Sequence, residues 1–178
     1  EIFVNDGAKS ALANILDLER KHLAPHIWDH TRKLINIYGI ASAMSYLHSN
    51  EIIHRDLKPE NILENDNLCP LIADFGLSKS FKNTENTIKS QLCIKGTLTY
   101  IPPEVYITSE STKESDVYAF AMIVYEIFTL EKPFQKFKGG YLQLMEAVTS
   151  GERPEFNVLV PDRFKKLIED CWSQDPKE

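Results

Sequence analysis

Residues 54 to 61 read His-Arg-Asp-Leu-Lys-Pro-Glu-Asn, and residues 74 to 76 read Asp-Phe-Gly. Together they bring two separate carboxylates, a lysine and an asparagine close in sequence, a set suited to metal-assisted phosphoryl transfer. Moving a γ-phosphoryl group needs a carboxylate to accept the hydroxyl proton, hard oxygen ligands for Mg²⁺, and a cation against the charge developing on the phosphate. Asp56, the pair Asn61 and Asp74, and Lys58 are residue types that meet these needs in turn. Three-residue matches arise by chance, and a lone Asp-Phe-Gly is usually a turn. An eight-residue block followed at this interval by Asp-Phe-Gly is far more specific.

Two further blocks stand downstream: Gly96-Thr97-Leu98-Thr99-Tyr100-Ile101-Pro102-Pro103-Glu104 and Asp116-Val117-Tyr118-Ala119-Phe120-Ala121. In order and spacing the four blocks resemble the catalytic, large lobe of a eukaryotic-type protein kinase, and they cover most of the chain. The resemblance implies a protein serine/threonine kinase that uses ATP and Mg²⁺ on a protein substrate. It makes Asp56 the base, Lys58 the phosphate contact, and Asn61 with Asp74 the metal ligands. Leu63 becomes the floor beneath adenine, and Val4, in a hinge of residues 1 to 7, the adenine-facing backbone N–H. Arg55 would receive a phosphate carried by the segment from Asp74 to Glu104, whose hydroxyls Thr87 and Ser90 are the first candidates. Thr97 would lie close to Asp56 and Lys58 beside the acceptor. Tyrosine kinases usually carry an Ala-Ala-Arg arrangement where this chain keeps Leu57-Lys58-Pro59-Glu60, which favours Ser/Thr acceptors and leaves dual specificity open. Asp116 would accept N–H bonds from the catalytic block, and His54 would be a packing residue without a catalytic role. The blocks Gly151-Glu152-Arg153-Pro154 and Cys171-Trp172-Ser173-Gln174-Asp175-Pro176 resemble the tyrosine-kinase-like group of Ser/Thr kinases.

Composition agrees with this reading. A chain of 178 residues is one domain by length, with enough sequence for a sizeable core. The net charge of −6, with basic residues scattered and not in a run, argues against a nucleic-acid partner. Cys69, Cys93 and Cys171 are odd in number and far apart, which fits reduced thiols in a cytoplasmic setting better than disulfides or a zinc site. The longest apolar run, Tyr118 to Phe128, is interrupted by Glu126 and is too short to cross a bilayer.

Periodicity supplies the elements that must position these residues, and they predict a mostly α, α+β fold. Apolar spacing predicts helices over Ser10–Arg20, with Ser10 as N-cap, and over Ile27–His48, with Trp28, Met44 and Tyr46 as core residues. Ile62-Leu63 and Leu68 to Ala73 flank the polar turn Glu64-Asn65-Asp66-Asn67 and predict a short hairpin near the active site. Ser115–Thr129 reads as a buried central helix, followed by helices over Tyr141–Thr149 and Pro161–Trp172.

The seven glycines form no Gly-x-Gly-x-x-Gly loop, so residues 1–178 are expected to be a partial kinase domain, hinge and large lobe, cut from something longer, with the small β-rich lobe outside this chain. An active kinase needs that lobe's strand lysine and helix glutamate, so the segment alone is expected to turn over little. By resemblance, Glu104 pairs with an arginine beyond Glu178. A rival from another class is a pseudokinase or truncated lobe that binds a partner protein without chemistry. Asp56, Lys58, Asn61 and Asp74 all standing in place speak against it, because a scaffold needs none of them.

Overall fold

The computed structural model describes residues 10–74 and 97–177. Val4, Phe75, Gly76 and the hydroxyl-rich stretch holding Thr87 and Ser90 lie outside the described residues, as does the side chain of Thr97.

The element order is β1 (Ser10–Ala11), α1 (Leu12–Arg20), α2 (His30–Ser49), a 3-10 turn (Pro59–Asn61), β2 (Ile62–Glu64), β3 (Pro70–Ile72), a second 3-10 turn (Thr97–Tyr100), α3 (Pro103–Thr108), α4 (Lys113–Thr129), α5 (Tyr141–Thr149) and α6 (Asp162–Cys171). The described residues are thus mostly α with one small sheet, the architecture expected of a kinase-like large lobe.

α4 is the centre. Every residue from Tyr118 to Ile127 is buried, so no polar stripe survives and the helix must be covered all round. α2 and α6 pack against it. Its start is fixed by the Ser115 hydroxyl, which accepts from the Thr112 N–H at 3.0 Å, and its end by Leu130 in the left-handed region at φ 57°. Beyond it, Tyr125, Phe156 and Trp172 form a ring cluster with centroids 5.5 to 6.1 Å apart. The Arg153 guanidinium donates to Trp172 O at 2.8 Å and lies 5.3 Å over the Tyr118 ring. The two C-terminal blocks singled out by resemblance therefore touch.

Two expectations are corrected. Ser10 does not cap α1: Ser10 and Ala11 pair antiparallel with Glu64 and Leu63, the helix starts at Leu12, and Ala11 offers no side-chain cap. Strand pairing satisfies backbone groups that a local cap would otherwise serve. Tyr46 is not core; it is 69% exposed, on the outer face of α2 with Tyr38. Trp28 and Met44 are buried as expected. α2 begins after Trp28, at His30, where the Asp29 carboxylate accepts from Arg32 N at 2.8 Å.

The sheet runs β1-β2-β3, antiparallel throughout. In the register Ile62↔Ile72, Leu63↔Leu71 and Glu64↔Pro70, alternation turns Ile62 and Glu64 to the core and Leu63 with Leu71 to the opposite, more open face. β3 rests on α2 at Gly39, where a Cβ would lie 2.6 Å from the Pro70 ring; only glycine admits so close an approach.

Candidate active site

Asp116, at the start of α4, organises the 54–61 block. Its Oδ2 accepts from His54 N at 2.8 Å and its Oδ1 from Arg55 N at 2.9 Å, while His48 Nε2 lies 2.9 Å from Oδ2. The carboxylate is 2% exposed, so these are desolvated, charge-assisted bonds. They hold Arg55 at φ 72°, a left-handed conformation that a long side chain adopts only when its surroundings impose it. Burial lowers the Arg55 guanidinium below its ordinary value, and Asp116 acts in the opposite sense.

His54 is wholly buried. Its Nε2 lies 2.9 Å from Ala73 O and its Nδ1 3.3 Å from Asp56 N, so Nε2 carries the proton and donates while Nδ1 accepts. Both ring nitrogens are spent on the backbone, in keeping with a packing role.

The 3-10 turn that starts at Pro59 brings Lys58 and Asn61 to the same carboxylate. Lys58 Nζ donates to Asp56 Oδ2 at 2.7 Å; Asn61 Nδ2 donates to Oδ2 at 2.9 Å and to Asp56 O at 2.7 Å. Asp56 Oδ1 is left without a hydrogen-bond partner among the described residues. With its Nδ2 committed, Asn61 has its Oδ1 as the remaining functional atom, a hard oxygen donor.

Asp74 follows β3. The residue before it is clamped twice, Ala73 N donating to Asn61 O at 2.9 Å and Ala73 O accepting from His54. Asp74 itself takes φ 60°, in the left-handed region. An asparagine oxygen and a carboxylate suit Mg²⁺, which keeps several waters and takes few protein ligands. No group of three or more His, Cys, Asp or Glu that could hold a metal occurs among the described residues.

The family model described as protein tyrosine and serine/threonine kinase matches residues 8–178. The chain belongs to the protein kinase family. It is 34% identical over 169 residues to mouse "Ankyrin repeat and protein kinase domain-containing protein 1", covering 89% of this chain and 22% of that protein. Two Dictyostelium discoideum relatives are similar: "Dual specificity protein kinase shkC", 37% identical over 139 residues (76% of this chain, 27% of that protein), and "RGS domain-containing serine/threonine-protein kinase A", 36% over 138 residues (78% and 12%). The chain thus spans about a quarter or less of the length of these relatives. No helix among the described residues is long and apolar enough to cross a membrane.

Asp56, Lys58 and Asn61 are in direct contact, Asp74 is tied to Asn61 through Ala73, and Leu63 faces away from the core. Arg55 is anchored by Asp116 next to this group. Thr97 enters only through the backbone turn it opens. Glu104 is half-buried and accepts from the Ser115 hydroxyl at 3.0 Å, so it has a partner within this chain besides the arginine expected from resemblance.

The sequence reading missed one supporting network. Tyr100 donates to Glu126 Oε2 at 2.5 Å, and Arg20 donates to Glu126 Oε1 at 2.5 Å and to Leu130 O at 2.6 Å. Burial first, then the facing Glu126 carboxylate, push the Tyr100 hydroxyl well above its ordinary value. The signal was a glutamate interrupting an apolar run, because a charge inside a buried helix requires a partner.

Proposed function

We propose that the protein carrying this segment is a serine/threonine kinase of the tyrosine-kinase-like group, transferring the γ-phosphate of ATP to Ser or Thr hydroxyls of proteins in the cytoplasm. The observation that carries this reading is the Asp56 carboxylate, held through Oδ2 by Lys58 and Asn61, with Oδ1 buried and without a hydrogen-bond partner among the described residues. Asp56 Oδ1 takes the proton of the acceptor hydroxyl as its oxygen attacks, and the two Oδ2 bonds keep the carboxylate from rotating away. Lys58, already beside Asp56, opposes the charge gathered on the transferred phosphoryl oxygens. Asn61 Oδ1 and Asp74 would hold Mg²⁺, Leu63 would floor the adenine, and Val4 would offer its backbone N–H. When bound, Mg²⁺·ATP supplies the phosphoryl group and neutralises its oxygens.

The Ser/Thr assignment rests on Lys58 in Leu57-Lys58-Pro59-Glu60, and the name of the dual-specificity relative makes it worth testing with matched Ser, Thr and Tyr peptides. Comparable turnover of the Tyr peptide would overturn it. The subgroup is supported by contact between its two motif blocks, where Arg153 also bonds Gln174 Oε1 at 2.9 Å. Asp56→Asn in the full-length protein is expected to reduce phosphotransfer by about 10²–10⁴-fold while ATP affinity stays near that of the parent. Undiminished turnover would remove Asp56 from the mechanism. The 178 residues assayed alone are expected to show little turnover, because both the strand lysine and its glutamate partner must be in place.

A further inference from the structure

Glu64 ends β2, three residues after Asn61, and is wholly buried, yet neither of its carboxyl oxygens has a hydrogen-bond partner among the described residues. Beside it stands Asn36 of α2, also wholly buried, whose Oδ1 is likewise without one. The Asn36 amide is already committed as a donor elsewhere. Its Nδ2 already donates to Leu68 O at 2.9 Å and to Arg32 O at 3.3 Å, which uses both amide protons. An ionised Glu64 would therefore be a desolvated carboxylate with no hydrogen bond among the described residues, next to an Asn36 whose own Oδ1 has none either. One proton on Glu64 resolves both, since a carboxylic acid donates one hydrogen bond and Asn36 Oδ1 accepts it.

We infer that Glu64 is carried as a neutral acid bonded to Asn36 Oδ1, a proton-dependent latch that ties α2 to the hairpin bearing Asn61 and leading to Asp74. Glu64 is a positioning residue: its side chain points to the core, opposite to Leu63, and it acts on the site only through the strand. Among the described groups around it stands one cation. From α2 comes Arg32, whose Nη1 is 3.4 Å from Cys69 Sγ in the hairpin turn; β1 pairs at Ser10, and α1 packs through the apolar face of Leu12, Ile15 and Leu16. Burial pushes the Glu64 carboxyl up to about 7 from an ordinary 4.5, with Asn36 and Arg32 acting in the opposite sense. The folded chain then holds a proton that the unfolded chain releases across this interval. Stability falls as pH rises from about 4.5 to about 7 and is level above it.

The latch is tested on the full-length protein with Glu64→Gln, whose amide donates to Asn36 Oδ1 at every pH. The infrared carbonyl band of a protonated carboxylic acid should be present in the parent at pH 6, fade by pH 8, and be missing from E64Q. The melting temperature of the parent should fall relative to that of E64Q as pH rises from about 4.5 to about 7, and the difference should level off above it. A missing band, or a melting difference that does not change with pH, would overturn the proton assignment. The effect on Asn61 and Asp74 rests on the kinase reading above. Affinity for Mg²⁺ with a non-hydrolysable ATP analogue should drop from pH 6 to pH 8 in the parent and hold steady in E64Q. A parallel loss in both proteins would reduce Glu64 to a structural residue. No nucleotide binding by either protein at any pH would overturn the kinase reading and the positioning role together, while the band and the melting difference would still decide the proton.

Discussion

Asp116 shows how one side chain sets a site that it does not join. Two successive backbone N–H groups, of His54 and Arg55, end on its carboxylate, and this lets Arg55 stay at φ 72°. A positive φ at a non-glycine residue costs about 1–3 kcal/mol and persists only where the surroundings over-determine it. Asp116→Ala would strand both N–H groups inside the protein. The loss expected is about 3–5 kcal/mol by denaturant unfolding, as for a broken buried network, with a drop in phosphotransfer as Asp56 loses its fixed approach. A change below roughly 0.5 kcal/mol, typical of surface substitutions, would show that the loop holds its shape without Asp116.

At the scale of elements, the same helix α4 reaches a second segment through Glu126. Tyr100, closing the 3-10 turn before α3, and Arg20, closing α1, meet on that one carboxylate, so three elements far apart in sequence share a buried charge. Tyr100→Phe keeps the ring and removes only the donor. It is expected to cost about 1.5–3 kcal/mol, the range for a hydrogen bond to a charged group, and to loosen the Thr97–Tyr100 turn. Hydrogen exchange at Leu98 to Ile101 should accelerate; unchanged protection there would mean that Ile101 and Pro102, both buried, hold the turn without the hydroxyl. The correction at Ser10 belongs to this scale too. A serine before an apolar run reads as a cap, but Ser10 and Ala11 are drawn into pairing with β2, a partner some fifty residues away that no local window includes.

For the whole molecule, the decisive feature is that α4 is enclosed on every side, with α2 and α6 packed on it and the ring cluster of Tyr125, Phe156 and Trp172 closing its far end. Ile123 lies fully buried in the middle of it. Ile123→Ala should cost about 2–5 kcal/mol, since the surrounding helices cannot all collapse into the space left, and the loss should appear as a lower melting temperature of the whole unit. Two separate transitions, with only one shifted, would show that the helices on either side of α4 do not unfold together.

The sequence by itself determined the family and most of the helices. His54 to Asn61 and Asp74 mark a protein kinase, because the order and spacing of those residues are read directly from the chain. Ser115–Thr129 announces a buried helix, because apolar residues on all faces admit no other place. The bounds of Tyr141–Thr149 were likewise legible from local spacing. Tertiary structure decided the rest. Which Asp56 oxygen is held and which remains an acceptor, the convergence of Tyr100, Arg20 and Glu126, and the exposure of Tyr46 all depend on contacts distant in sequence. Glu64 is the clearest case. In sequence it is the first residue of a polar turn, and it becomes a buried acid only because strand alternation and the packing of α2 turn it inward, away from the water that would keep it charged.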